Sequence, residues 1–151
     1  MKKLLMGAFA VLVGLGVTLT AFAQAKPEVL VKQRQAAMTL IGKYWGPLGR
    51  MAQGKADYNA AVVTRNAGYL EVLAKLPWDG FQASTRDVKS RALPAVFDEA
   101  DKFKEAQQRL QSAVGKLAAA SKGGDEEAVK AAMKQVGQAC GGCHKNFREK
   151  K

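Results

Sequence analysis

The chain has 151 residues, with 24 Lys or Arg against 13 Asp or Glu, a formal charge of +11, 15 glycines and four prolines, which allows one domain at most. Twenty-six alanines and a 7% aromatic share mean that the 48% apolar fraction is built from small side chains, a composition of helices rather than strands. One histidine and two cysteines exclude a four-ligand Cys/His zinc site and any disulfide framework beyond a single bridge.

Residues 1–23 read as an export signal. Met1-Lys2-Lys3 is a basic start, Leu4 to Leu19 is uncharged and apolar, and Ala21-Phe22-Ala23 has the small-x-small form of a cleavage site before Gln24. A retained membrane anchor would need a stop-transfer signal, whereas Lys26-Pro27-Glu28 opens a charged helical pattern instead, so no membrane insertion is expected after cleavage. The mature chain, 24–151, is therefore placed in the bacterial periplasm. It keeps 22 basic and 13 acidic residues, a formal charge of +9. That excess suits acidic protein partners or anionic surfaces and is also ordinary for a soluble basic protein. No basic run with interleaved aromatics points to nucleic acid.

Four helices are predicted. The first runs from about Pro27 to Arg50, with Leu30, Ala37, Ile41, Trp45 and Leu48 at helical spacing, and Gly46-Pro47 is expected to bend or fray its end. The second starts near Asp57 as cap and continues to Leu76, where Pro77 stops it. Residues 77–94 show no sustained period and read as a long connection bordering a site. The third covers roughly Pro94 to Ser121, with Phe97, Phe103, Leu110, Val114 and Leu117 on its apolar side, and ends at Gly123-Gly124. Asp125-Glu126-Glu127 opens the fourth, which runs to about Glu149 with Val129, Met133, Val136 and Phe147 as core. The expected fold is an all-α antiparallel four-helix bundle with two short turns and one longer loop. Its alanine-rich faces leave room for something else in the middle.

All three scarce residues fall in Cys140-Gly141-Gly142-Cys143-His144, the C-x-x-C-H pattern of covalent haem c attachment. On a helix the three side chains share one face, so both thiols can reach the haem vinyl groups while His144 stands under the iron. A thioredoxin-like dithiol would need a βαβ setting, a zinc site lacks its fourth ligand, and a structural disulfide leaves the lone histidine without a role. Arg148, four residues beyond His144, lies either beside the ring's proximal side or solvated in a basic tail. Counting excludes a second axial histidine. Met38, Met51 and Met133 are the candidates for a sixth ligand; Met133 shares the helix of His144, Met51 falls at a helix end, and Met38 sits on the apolar stripe of the first helix. Arg34 on the same stripe either finds a haem propionate or snorkels from the bundle's edge.

Four segments carry a family resemblance: Arg34-Gln35-Ala36-Ala37-Met38; Leu76-Pro77-Trp78 with Phe81; Val88-Lys89-Ser90-Arg91 before Pro94; and Cys140 to His144 followed by Phe147-Arg148. In order and spacing they resemble the cytochrome c′ family over essentially all of 24–151. The resemblance implies one covalent haem c, a five-coordinate high-spin iron bound by His144, and a first-helix side chain, here Met38, crowding the open face. It places Arg34, Gln35, Ser90 and Arg91 near the haem edge and Arg148 beside the proximal histidine, and it implies homodimers. Low-spin relatives use a first-helix methionine as sixth ligand, which would also fall at Met38. The function expected is electron exchange with a redox partner protein and binding of nitric oxide or carbon monoxide, with dioxygen disfavoured because Met38 donates no hydrogen bond. The alternative is a low-spin His144/Met38 electron carrier. No enzyme activity is expected, because a distal acid or base for peroxidase chemistry is absent.

Overall fold

The computed structural model describes residues 25–150, so the export signal read over 1–23 lies outside the described residues. Helix α1 spans Pro27–Ala52, with Pro27 in the first turn, where a missing N–H costs nothing, and Glu28 and Arg50 matching the helix dipole at either end. The fraying expected at Gly46-Pro47 does not occur. Fully buried Leu48 and the Trp45 ring packed over Gly49 hold the last turns, and α1 continues to Ala52.

Helix α2 spans Ala60–Leu73. Its cap is Asn59 and not Asp57, because Asn59 has the extended backbone a cap requires and its side chain accepts the Val62 N–H at 3.0 Å. The helix also stops earlier than Leu76. The N–H groups of Lys75 and Leu76 turn to the carbonyls of Val72 and Leu73, three residues back, and the Trp78 indole N–H takes the Ala74 carbonyl at 2.7 Å.

The long connection contains two 3-10 turns, Trp78–Gly80 and Ala83–Thr85. The expected third helix is broken. A single turn, α3 (Ala95–Asp98), ends at Glu99, which leaves helical geometry at φ −118°, ψ 50°, and the long helix α4 then runs Ala100–Gly123. Gly124, at φ 77°, supplies the left-handed residue that ends α4. The Asp125 carboxylate then accepts the N–H groups of Glu127 and Ala128 to open α5, Glu126–Phe147. Helix α5 ends before Glu149 because Arg148 is extended and pairs with Ala92 in an antiparallel bridge, flanked by Leu93 N–H to Phe147 O at 3.1 Å and Glu149 N–H to Arg91 O at 2.9 Å.

The four long helices pack in the ring order α1, α2, α4, α5, each against two neighbours. Cross-links between Asn66 and the Tyr44 carbonyl, Thr64 and the Ser121 carbonyl, and Gln111 and the Ala74 carbonyl fix the antiparallel registers. The main core, including Leu48, Val63, Leu70, Val114, Leu117, Met133 and Val136, fills the bundle's length. A second, smaller cluster of Val96, Ala106 and Phe147 gathers Phe81, Phe97, Phe103 and Cys143 where the long connection crosses the end of α5. Among the described residues no helix is long and apolar enough to cross a membrane.

Candidate cofactor site

The second cluster borders a cavity of about 450 Å³. Helix α5 contributes Cys143, His144 and Phe147, followed by Arg148, and α1 faces them with Arg34, Gln35, Met38 and Thr39. The connection closes a third side with Phe81, Ser90, Arg91 and Ala92, while Val96 and Phe103 complete the apolar lining. Of the nine residues that the family resemblance and the haem motif place at the cofactor, eight line this wall; the ninth, Cys140, is half-buried against the main core, one turn before His144. Met38 is the only methionine on the wall. Met133 is fully buried in the main core and Met51 packs against that core at the last turn of α1.

Edge-to-face rings build the apolar part. Phe103 lies 4.9 Å from Phe81 and 5.2 Å from Phe147, centroid to centroid, and Trp78 backs Phe81 and Phe103 at 6.2 and 5.9 Å.

Arg34 holds the connection against α1. It is 3% exposed, so it is enclosed and does not snorkel from the bundle's edge. One terminal nitrogen donates to the Gly80 carbonyl at 2.7 Å and the Thr85 hydroxyl at 2.9 Å, the other donates to the Ser90 hydroxyl at 3.0 Å, and the guanidinium stacks 4.3 Å from the Phe81 ring centre. These partners come from the chain itself, whereas the sequence offered only a cofactor carboxylate or solvent. Gly80 is required for this approach, because a Cβ there would stand 2.7 Å from the Leu30 carbonyl oxygen and 2.8 Å from the Arg34 Cβ. Thr85, 1% exposed, is a residue that sequence reading missed; nothing in its local pattern marks it.

The chemistry at the end of α5 suits ligation by His144. Burial, helped by the nearby cations Arg148 and Arg91, lowers the His144 pKa, so the imidazole is neutral near pH 7 with a lone pair to give. An Arg148 terminal nitrogen lies 3.3 Å from its Nε2. Burial, with the neighbouring Cys143, pushes the Cys140 thiol up to about 11, and burial also raises Cys143, where Arg109 and Arg148 pull the other way. The two cysteines are not joined to each other.

The donor set tests which group belongs here. Among the described residues no cluster of three His, Cys, Asp or Glu side chains could cage a bare metal ion. The cavity wall carries three arginines and one histidine but no carboxylate, around an aromatic and aliphatic lining. A flat apolar macrocycle with two anionic propionates, one iron and two vinyl groups fits that lining: on the wall, His144 could take the iron, Cys143 one vinyl and the arginines the carboxylates, and Cys140, one turn before His144, is the remaining thiol for the second vinyl.

Comparison with known proteins agrees with this chemistry. A family model described as Cytochrome C′ matches residues 29–148. Cytochrome c′ of Rubrivivax gelatinosus is 42% identical over 126 residues, covering 83% of this chain and 98% of that protein, and its crystal structure superposes with a TM-score of 0.77. Cytochrome c′ of Alcaligenes xylosoxydans is 39% identical over 84% of this chain and 98% of its own length. A nitric oxide complex of a variant of cytochrome c prime from Alcaligenes xylosoxidans is 38% identical, covers 85% of this chain and 99% of that one, and has a TM-score of 0.76. The chain belongs to the cytochrome c′ family, whose members bind haem c covalently.

Proposed function

We propose that this protein is a periplasmic, high-spin monohaem cytochrome that carries single electrons and binds nitric oxide or carbon monoxide on the Met38 side of its cofactor. The observation that carries the reading is the asymmetry of the cavity. Its α5 wall offers the His144 imidazole, and its α1 wall offers a guanidinium, an amide, a thioether and a hydroxyl but no imidazole. When bound, haem c would supply a one-electron couple and an iron that His144 would hold.

The residues around it have separate tasks. Cys140 and Cys143 anchor the ring through thioethers. Arg34, Ser90 and Arg91, with Gln35 at the rim, hold its anionic edge. Arg148 stands beside His144, where it adds to the effect of burial in disfavouring protonation of the imidazole and brings positive charge to the His144 side. Met38 shields the open face with an apolar side chain, which admits a small neutral gas and gives dioxygen no hydrogen bond. Variants of cytochrome c prime from Alcaligenes xylosoxidans form nitric oxide and carbon monoxide complexes, which supports the same use here. The second reading, low-spin ligation by both His144 and Met38, rests on the position of Met38 on that wall. The ferrous absorption spectrum decides between them: a five-coordinate band that shifts with carbon monoxide supports the high-spin carrier, and a low-spin spectrum indifferent to the gas refutes it.

A homodimer belongs to this reading. Leu40 on α1, Tyr69 and Val72 on α2 and Leu76 just after it are 42–61% exposed and line no part of the cavity, a set of large apolar groups suited to a second copy. Sedimentation equilibrium of the wild type against Val72→Lys tests it: the wild type sediments as a dimer and the variant as a monomer.

A further inference from the structure

Cys143 lines two openings at once. On one side it faces the cofactor cavity; on the other it ends a groove of about 580 Å³ between α4 and α5, and no other residue is common to the two. The groove floor is made of small residues, Ala113, Ala139 and Gly142, so a narrow segment of another protein can descend to within contact of the cysteine. Nothing stands within 4 Å of the place a Gly142 Cβ would occupy, so that end is uncovered.

The groove walls are polar and cationic. Gln108, Gln135 and Gln138 present amides, Arg109 and Lys116 present positive charge, and Glu105 is the single carboxylate. Glu105 is 3.4 Å from Arg109, in a pair exposed on both sides and therefore weak. Among the described residues Lys116 makes no ion pair. The surface is thus short of negative charge and rich in hydrogen-bonding groups that can meet carboxylates and backbone. A lipid headgroup layer is too flat to follow it to its floor, whereas a protein loop can.

We infer that the α4/α5 groove is the electron-exchange port of this protein and receives an acidic loop of its redox partner. The inference rests on the electron-carrier reading and adds to it the place and the chemistry of contact. In the exchange one electron leaves the partner's reduced centre and the ferric iron becomes ferrous, or the reverse; no bond is made or broken and no proton moves. Lys116 and Arg109 steer and hold the partner, and the small floor lets its backbone come close to the thioether sulfur of Cys143.

The test uses the haem-loaded protein and a fluorescein-labelled decaglutamate peptide, with binding read by fluorescence anisotropy. The peptide should bind, weaken as salt is raised, and lose roughly five- to tenfold in affinity in Lys116→Glu, as an attractive contact becomes repulsive. Lys55→Glu changes the net charge equally but lies in the α1–α2 connection, at the other end of the bundle, and should lose less than about twofold. Carbodiimide coupling of the peptide should mark Lys116 in the digest. Equal losses in the two variants, or coupling confined to lysines away from the groove, would overturn the proposal. So would Lys116-dependent binding to phosphatidylglycerol vesicles without binding of the peptide. Reduction of both proteins by the anionic iron(II)–EDTA complex is followed alongside. A wild type that cannot be reversibly reduced refutes the carrier reading itself, whereas normal reduction with Lys116-independent binding refutes the groove alone.

Discussion

Replacing Arg34 by methionine keeps most of the aliphatic bulk in place and removes the three hydrogen bonds to Gly80, Thr85 and Ser90 together with the stacking on Phe81. A hydrogen bond from a charged donor contributes about 1.5–3 kcal/mol. Three of them do not add fully, because removing the guanidinium also removes the cost of burying it, which is several kcal/mol. Two of the partners also keep other contacts: the Thr85 hydroxyl still donates to the Gln82 carbonyl at 2.7 Å, and Ser90 still accepts the Ala92 N–H at 3.3 Å. The Gly80 carbonyl keeps only a long contact of 3.5 Å with Thr85, so it carries the main penalty. The expected net loss is about 2–4 kcal/mol. It should appear as a lower denaturation midpoint of the haem-loaded protein and as faster amide exchange over residues 80–93, with helices α2 and α4 little changed. Arg34→Lys separates two causes: it keeps the charge, and with it most of the reduction potential, but cannot bridge three acceptors, so the loop should still loosen. A loss below about 0.5 kcal/mol in Arg34→Met, with unchanged exchange over 80–93, would refute the view that this arginine ties the connection to α1.

Met38→Ala should speed carbon monoxide binding by about tenfold or more in stopped-flow experiments, since a tenfold change needs only about 1.4 kcal/mol of relieved crowding; a change from a low-spin to a high-spin ferrous spectrum would instead identify Met38 as an iron ligand. Gly80→Ala forces a Cβ against the Leu30 carbonyl and Arg34, contacts under 3.0 Å that neither backbone can yield, and should lower stability by about 1–3 kcal/mol in thermal unfolding. Cys143→Ala should leave a ring held by one thioether, seen as partial haem loss on a denaturing gel, while the double Cys140→Ala, Cys143→Ala variant retains none. In haem-free chain, burial keeps Cys140 protonated up to about 11 against an ordinary 9.0, so the folded state holds a proton that the unfolded state releases, and stability falls as pH rises from 9 toward 11. Iodoacetamide should accordingly react slowly with Cys140 at pH 8, and fast reaction there would contradict its burial.

The helical half of this architecture could be read directly because each cause is local. Apolar residues three and four apart define one face, Pro27 and Asp125 mark helix starts, Gly124 marks an end, and the haem-binding motif needs only one turn of helix to align Cys143 and His144. The errors came where two local signals competed or a distant element intervened. Asn59 displaced Asp57 as cap because both can accept and only the backbone conformation decides. The third helix broke at Glu99, where α3 turns Val96 and Phe97 into the smaller cluster, and α5 stopped at Phe147 because Arg148 pairs with Ala92. Helical spacing puts Arg34 on an inward-facing stripe, where it must find a partner or an exit to solvent, but the partners lie 46, 51 and 56 residues away on a segment without periodicity, so nothing near it in sequence could name them. Gly80 and Thr85 are invisible for the same reason: one matters because two backbones touch, the other because a hydroxyl meets a guanidinium.

Apart from the Asn59 cap, these misreadings share the connection between α2 and α4, and it also shapes the site. Arg34 fastens its first half to α1, the wall that carries Met38. Backbone pairing of residues 91–93 with 147–149 fastens its second half to the end of α5, the wall that carries His144. The α1 and α5 walls of the cavity are therefore tied to one segment in addition to their direct packing on each other. Met38 and His144 can both be located from helical spacing, yet whether the thioether reaches the iron or stops short depends on the width that this segment enforces. A variant that loosens only the connection, such as Thr85→Val, should thus change gas affinity while Met38 and the helix core are untouched. If gas binding instead followed core substitutions on α2 or α4 and ignored Thr85, the width would be a property of the bundle, and the connection merely a cover.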